Sequence, residues 1–271
     1  MPELPEVETT VRGLAHVLKG RRIQRVEARR EDLRRPFPAD LGQRLTGARV
    51  TSLGRRAKYG LVHTDRGDTM VFHLGMSGAW RVDPAELGKH DHLLIETDEG
   101  RRISLRDPRR FGSVDTVPTA ELEAWPAFAA LGPEPLGGAI DGKWLKNRFA
   151  GRTAAVKLLL LDQRIVAGLG NIYACEALFR ARIDPRKPAG RVSRAKLDAL
   201  ADSIPAVLEE AIRAGGSTLR DFAAPDGELG YFSKQFDVYD REGERCRGGD
   251  GNVRRIVQGG RSTFFCPACQ R

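Results

Sequence analysis

No apolar run in this 271-residue chain approaches the roughly 20 residues that a membrane-spanning helix needs, which excludes a helical membrane protein. The opening residues Met1-Pro2-Glu3-Leu4-Pro5-Glu6 lack the basic and apolar regions of a secretory signal, so a cytoplasmic location is expected. Cysteine is scarce, with four residues in all. Three of them, Cys246, Cys266 and Cys269, crowd near the C-terminus, and in a cytosolic chain such clustering favours a metal over disulfides. Cys175 stands apart in a helical pattern and reads as a small buried residue. Internal repeats and low-complexity segments are also absent, so nothing points to a repeat array.

What is present points to a soluble, basic protein of more than one part. Hydrophobic residues at 41% and charged residues at 30% are ordinary for a globular chain. Its length exceeds the usual single domain, so two compact units with a small appendage are expected. Lys and Arg total 45 against 36 Asp and Glu, a net charge of +9. That excess fits a polyanionic partner, although a solvated basic surface with no nucleic-acid role has the same composition.

Val7, Val11, Leu14 and Leu18 recur at helical spacing, and Gly20 follows as a left-handed cap. From about Arg22 to Pro118 the pattern changes to short apolar runs, such as Thr69–Leu74 and His92–Glu96, that read as the strands of a sandwich. The segment Leu131–Gly138, with two prolines and three glycines, reads as a linker. Helical patterns follow from Trp144 to Asp162, after Asn171, and from Ser193 to Ala214, the last with Pro205 inside it to kink or divide it. The stretch from Asp240 to Arg271 is short, basic and glycine-rich, which fits a metal-clipped hairpin.

Several longer motifs occur in one order along the chain. They are Pro2-Glu3-Leu4-Pro5-Glu6-Val7-Glu8, Arg55-Arg56-Ala57-Lys58-Tyr59, His73-Leu74-Gly75-Met76-Ser77-Gly78 and Asp107-Pro108-Arg109-Arg110-Phe111-Gly112. Leu131–Leu136, Gly168–Tyr173 and Arg261–Gln270 continue the series. Together they resemble the bacterial formamidopyrimidine-DNA glycosylase family over the whole chain, and so many in register are far more specific than any one. The endonuclease VIII branch is related, but it typically carries Gly where Leu4 stands and lacks the Met76 and Arg109 contexts.

The resemblance implies an α+β multidomain fold. A catalytic two-sheet β-sandwich with an N-terminal helix is expected over 1–130 and a linker over 131–138. A helix-two-turn-helix DNA-binding domain would follow over 139–239 and a zinc-finger β-hairpin over 240–271. It further implies a monomeric bifunctional glycosylase and AP lyase that removes 8-oxoguanine and formamidopyrimidines from double-stranded DNA, with no organic cofactor and no membrane partner. An oxidised-pyrimidine glycosylase of the endonuclease VIII type and a non-catalytic damaged-DNA-binding protein are the alternatives.

Within that resemblance, Pro2 becomes the nucleophile once Met1 is removed. An α-amino group has a pKa of about 7.7 to 8.0, so an appreciable fraction is neutral near pH 7. The secondary amine of proline yields an iminium at the sugar C1′ that cannot relax to a neutral imine and so acidifies the 2′ proton. The bland role for Pro2 is to begin a helix. Glu3 is placed to protonate the sugar ring oxygen, and it also suits a helix N-terminus by charge. Glu6 resembles a position that supports the site, although Glu6 and Glu8 also suit a solvated helix face. Lys58 is implied as a contact to phosphate or lesion.

Extruding a base leaves a gap in the stack. The resemblance assigns Met76 as a wedge, Arg109 as a donor to the orphaned cytosine and Phe111 as an inserted ring, with His90 another DNA contact and His73 and His92 structural. Lys157 is implied to bind phosphate. Asn171 can cap its helix, whose amides receive phosphate, and Arg220 begins a loop like the lesion-reading loop. Arg261, at the hairpin turn, would grip the phosphates flanking the lesion through its guanidinium fork.

The finger departs from the family pattern. Two Cys-x-x-Cys pairs are expected to hold one structural Zn2+, yet Cys246-Arg247-Gly248-Gly249 has glycine where the second thiolate belongs, while Cys266-Pro267-Ala268-Cys269 is intact. Three thiolates hold zinc if an oxygen completes the shell, and Asp250 is the nearest candidate. A zinc-free hairpin packed on Val257, Phe264 and Phe265 is the other reading.

Overall fold

The computed structural model describes residues 2–217, 225 and 230–271. Arg220 lies outside the described residues. The chain forms two compact units, one of Met1–Ala129 with Ala214–Tyr231 and the other of Ala130–Arg213 with Phe232–Arg271. The helices after the linker and the C-terminal hairpin thus share a unit. Among the described residues no helix is long and apolar enough to cross a membrane.

The first unit opens with α1 (Leu4–Leu18), whose buried face carries Val7, Val11, Leu14 and Leu18 at the spacing that the sequence shows. Glu3 and Glu6 close a capping box at its start. At its end Lys19 N–H donates to Ala15 O at 3.2 Å, and Gly20, at φ +80°, turns the chain away. One antiparallel sheet has the order β1-β6-β7-β5, made of β1 (Ile23–Ala28), β5 (Ala79–Val82), β6 (Asp91–Thr97) and β7 (Arg102–Arg106). The other is the meander β2-β3-β4-β8, made of β2 (Val50–Arg56), β3 (Tyr59–Thr64), β4 (Asp68–His73) and β8 (Ser113–Pro118).

One core joins both sheets to α1, with Trp80, Leu93, Ile95 and Ile103 from the first sheet meeting Val50, Val62, Met70 and Phe72 from the second. Short helices α2 (Leu41–Leu45) and α3 (Pro126–Ala129) add Leu41, Leu45 and Phe128 to the buried residues. Inward alternation along the strands therefore produces the expected helix-led sandwich.

In the second unit the pattern from Trp144 to Asp162 forms two helices, α4 (Gly142–Phe149) and α5 (Val156–Leu160), rather than one. The run ends at Phe149, where Ala150 leaves helical geometry at ψ 127° and Gly151, at φ +70°, turns the chain further. Asp141 caps α4 by accepting from Trp144 N–H at 2.6 Å. Next come α6 (Asn171–Arg180) and α7 (Arg194–Arg213), with α4 and α6 both packed on α7. Pro205 neither divides nor ends α7, which runs unbroken for 20 residues. Burial of Leu197, Leu200, Ile204, Val207 and Leu208 along one side offsets the single hydrogen bond that proline removes. The chain ends in the antiparallel hairpin of β9 (Arg254–Gln258) and β10 (Arg261–Phe265).

Gly60 of β3 pairs with Phe72 of β4, and a Cβ at Gly60 would overlap the Phe72 ring. That ring is itself fixed edge-on to Trp80 at 5.5 Å. Gly60→Ala is therefore expected to lower stability by roughly 1–3 kcal/mol through overpacking, read as a lower urea midpoint with an unchanged slope.

Candidate active site

Pro2 and Glu3 are buried at the head of α1. The chain is held there by Glu6, only 2% exposed. Its Oε2 accepts from Glu3 N–H at 2.8 Å, while Oε1 accepts from Ser217 N–H at 2.9 Å and Ser217 Oγ–H at 3.0 Å. Burial overturns the solvated reading of Glu6: its carboxylate ties the N-terminus to a residue 211 positions along the chain. Glu8 faces the other way, in ion pairs with Arg12 at 2.8 Å and Arg55 at 3.1 Å.

Arg55 joins α1 to the turn that presents Lys58. Its Nη1 donates to Ala57 O at 3.0 Å, across a two-residue turn that leaves Arg56 opposite Tyr59. Ala57 sits at φ +53°, a strained setting for a residue with a side chain. Lys58 itself is only 9% exposed. Its charge reaches His73 at the end of β4. Burial, and then the charges of Lys58, Arg34 and Arg35, push the His73 pKa down to about 4. His73 Nδ1 accepts from Gly75 N–H at 3.0 Å, which fixes the proton of the neutral ring on Nε2.

Beyond Gly75 the chain carries two of its exposed large hydrophobic side chains. Met76 is 37% and Phe111 44% exposed, so both stand on loop tips and neither is a core residue. The Arg109 guanidinium lies 4.9 Å over the Phe111 ring. His90 stands beside His92 with ring centroids 6.2 Å apart, and lines a surface cavity of about 540 Å³ with Arg81, Lys89 and Arg106.

In the second unit the structure revises two expectations. Asn171 does not cap α6, because Gly170 holds the cap position and Asn171 is already the first helical residue. Its Oδ1 instead accepts from Lys157 Nζ at 2.6 Å, and its Nδ2 donates to Ser262 O at 2.9 Å. Lys157 does not face solvent for a phosphate; it is fully buried. A buried ammonium requires acceptors, and Lys157 also donates to Thr263 Oγ1 at 2.6 Å and Ser262 O at 3.3 Å. Lys157 and Asn171 thus brace β10 one residue beyond Arg261. Arg261 is exposed and directly follows the turn residues Gly259 and Gly260, whose φ values of +54° and +73° fit a two-residue hairpin.

Sequence reasoning missed Glu176, a fully buried acid in the otherwise apolar run Ile172–Phe179. It accepts from the amides of Asp237 at 2.8 Å, Val238 at 3.1 Å and Tyr239 at 2.8 Å, which anchors the chain entering the hairpin. An acid on the inner face of an apolar helix was the available signal.

Cys175 is buried, as expected. The sulfurs of Cys246, Cys266 and Cys269 lie within 4.8 Å of one another, with Cys246 Sγ and Cys269 Sγ 3.5 Å apart, and Asp250 Oδ2 is 3.5 Å from Cys269 Sγ. A Cβ at Gly248 would sit 3.0 Å from Cys269 Sγ, so the backbone wraps closely on the thiols. Burial raises the Cys269 thiol. At Cys246 burial is outweighed by the Gly251 amide and the neighbouring thiols, which lower it. This converging set suits zinc and is the structural zinc site of the hairpin.

A helix-led sandwich followed by a helical unit and a thiol-clustered basic hairpin defines a class of zinc-finger nucleic-acid-binding protein. Three family models match in this order: the formamidopyrimidine-DNA glycosylase N-terminal domain over 1–114, its H2TH domain over 131–223, and the zinc finger found in FPG and IleRS over 251–271. The formamidopyrimidine-DNA glycosylase of Novosphingobium aromaticivorans is 70% identical over 271 residues, and that of Rhizorhabdus wittichii 66%, each covering 100% of both chains. The chain belongs to the formamidopyrimidine-DNA glycosylase family. Among solved structures, a Lactococcus lactis FPG mutant in complex with Fapy-dG-containing DNA is similar at TM-score 0.92 and 33% identity over 100% of both chains. MutM (FPG) from Thermus thermophilus is similar at TM-score 0.89 and 39% identity, over 99% of this chain and 98% of that one.

Because His73 titrates near 6.5 when exposed but near 4 when folded, the unfolded chain binds more protons between those values. Stability therefore falls as pH drops through that window. The stability difference between the protein and His73→Gln should be constant above pH 7 and shrink by about 3 kcal/mol towards pH 4, as measured by urea unfolding.

Proposed function

We propose that the chain is a bifunctional DNA glycosylase and AP lyase of base excision repair that removes 8-oxoguanine and formamidopyrimidines from duplex DNA. The observation that carries this is the buried Pro2-Glu3 pair held in place by Glu6, in a chain matched end to end by glycosylases of this name. After loss of Met1, the Pro2 nitrogen bonds to C1′ as the C1′–base bond breaks, and the base leaves with a proton. Glu3 donates a proton to the ring oxygen as the C1′–O4′ bond breaks, which opens the sugar and leaves the Pro2 iminium, a kind of assistance worth typically 10²–10⁴ in rate. Removal of the 2′ proton by a base sends its electron pair toward the iminium and expels the 3′ phosphate, and a second elimination, with loss of the 4′ proton, expels the 5′ phosphate.

The remaining side chains bind and shape the DNA. Lys58 and Arg261 neutralise phosphates, each from a turn whose backbone is fixed. Met76, Arg109 and Phe111 fill the space left by the extruded nucleotide, with His90 a further contact. Asn171 and Lys157 act through the hairpin, and Arg220 belongs to the lesion-facing loop. Zinc would be held by Cys246, Cys266 and Cys269 with Asp250 as the fourth ligand, and its role is to clip the hairpin. The four free thiols fit a reducing, cytoplasmic setting.

Borohydride added during reaction with a duplex bearing 8-oxoguanine should link the protein to DNA through Pro2, located by peptide mass. A variant whose N-terminus is acylated by an added residue should give no adduct. Failure of the chain beginning at Pro2 to form one would refute the lyase reading, and faster cleavage of a thymine glycol duplex would favour the pyrimidine branch. Asp250→Ala should lose zinc to a competing chelator roughly tenfold faster or more, while Asp250→Cys should retain it. Equal release rates for the three proteins would remove Asp250 from the ligand set.

A further inference from the structure

The side chains assigned to the gap come from two loops, 74–78 and 107–112, that are distant in sequence. One buried carboxylate holds both. Asp107 is fully buried; its Oδ1 accepts from Ser77 Oγ–H at 2.6 Å and its Oδ2 from Gly112 N–H at 2.8 Å. Ser77 spends its proton on Asp107, so its oxygen is left to accept, and Arg109 N–H donates to it at 3.1 Å. The chain of bonds runs from Gly112 through Asp107 and Ser77 to the backbone of Arg109. The loops also touch directly. Gly75, at φ +61°, lies so close to Phe111 and Gly112 that any Cβ would strike their backbone. Behind Asp107, its carbonyl meets His92 Nε2 at 2.9 Å and its N–H donates to His90 O at 2.9 Å.

We infer that Asp107, acting through Ser77, is a positioning residue that fuses the two loops into one preassembled wedge, so that Met76, Arg109 and Phe111 enter the DNA together. This rests on the reading that those three side chains fill the gap. The chemistry favours it over simple fold maintenance. Both carboxylate oxygens are directed at loop backbone and at a loop hydroxyl, and the side chains so fixed include the two partly exposed apolar residues at the tips. A wedge already ordered before contact avoids losing loop and rotamer freedom during insertion.

The test measures two steps in the full-length, zinc-loaded protein. Stopped-flow fluorescence of 2-aminopurine beside an 8-oxoguanine pair reports insertion. Borohydride trapping on a single-stranded abasic oligonucleotide, which has no stack to enter, reports the chemistry of the N-terminus alone. Ser77→Ala and Asp107→Asn should each slow insertion and duplex excision about tenfold and leave single-strand trapping within twofold, while Ser77→Thr, which keeps the hydroxyl, should recover most of the loss. In a Phe111→Ala background, Ser77→Ala should add little, because both changes act on the same wedge. Unaltered insertion in both single variants would overturn the proposal, as would equal slowing on both substrates, which marks a general loss of fold. Failure of the unaltered protein to trap either substrate would instead defeat the enzymatic reading.

Discussion

The structure depends on a carboxylate placed where water cannot reach it. Glu6 is buried, and a buried charge is tolerated only where donors converge on it. Its two oxygens take Glu3 N–H on one side and Ser217 on the other. The choice of Glu3 as donor has a chemical reason. The Pro2 nitrogen, the proposed nucleophile, has to stay available, and this bond fixes the chain one residue further on. The capping box thus locates Pro2 through its neighbour. The other oxygen fixes the residue immediately before the segment that contains Arg220.

The same device recurs wherever a functional segment meets the framework. Asp107 holds two loops, Glu176 holds three successive amides before the hairpin, and Lys157 holds β10 beside Arg261. None of these is an efficient way to stabilise a fold, because apolar packing of equal volume avoids the desolvation. What each buried ion provides is direction: a carboxylate or ammonium satisfied by a few specific donors or acceptors admits one arrangement of the segments that it joins. Rigid sheets and helices do the rest, as sites on a rigid framework require.

Periodic burial was legible in the sequence, and single side-chain bonds were not. The face of α1, the sandwich strands and the glycine that ends the first helix could all be read from spacing, because repetition averages over many residues. Gly151 and Pro205 were harder. One helical pattern is divided at Ala150-Gly151, where the backbone turns extended and then left-handed, whereas a lone proline failed to divide another whose apolar face was long enough to hold it together. At the site, the glycines at 75 and 78 are a local signal for the exposed turn that carries Met76, and Phe111 has no such pair around it. The bonds of Asn171 and Lys157 to Ser262 and Thr263 were not legible because those partners lie some hundred residues away, and no local pattern records a contact of that range. Glu6, Asp107 and Glu176 share this difficulty.

The hairpin shows how a missing ligand reshapes its surroundings. In the paired-cysteine pattern the second thiolate would stand at position 249, yet Gly249 has φ +80° and a Cβ there would meet nothing within 4 Å. It is the backbone of Gly248 that lies against the sulfurs, since a Cβ there would sit 3.0 Å from Cys269 Sγ and 3.7 Å from Cys246 Sγ. Two consecutive glycines let the chain wrap closely around the thiols and deliver the next residue, Asp250, to their open side, 3.5 Å from Cys269 Sγ. That placement supports the proposed ligand role of Asp250, one position after the paired-cysteine pattern. Gly249 in place of a cysteine leaves three thiols in the cluster, and the proposed fourth ligand, Asp250, would supply oxygen in place of sulfur.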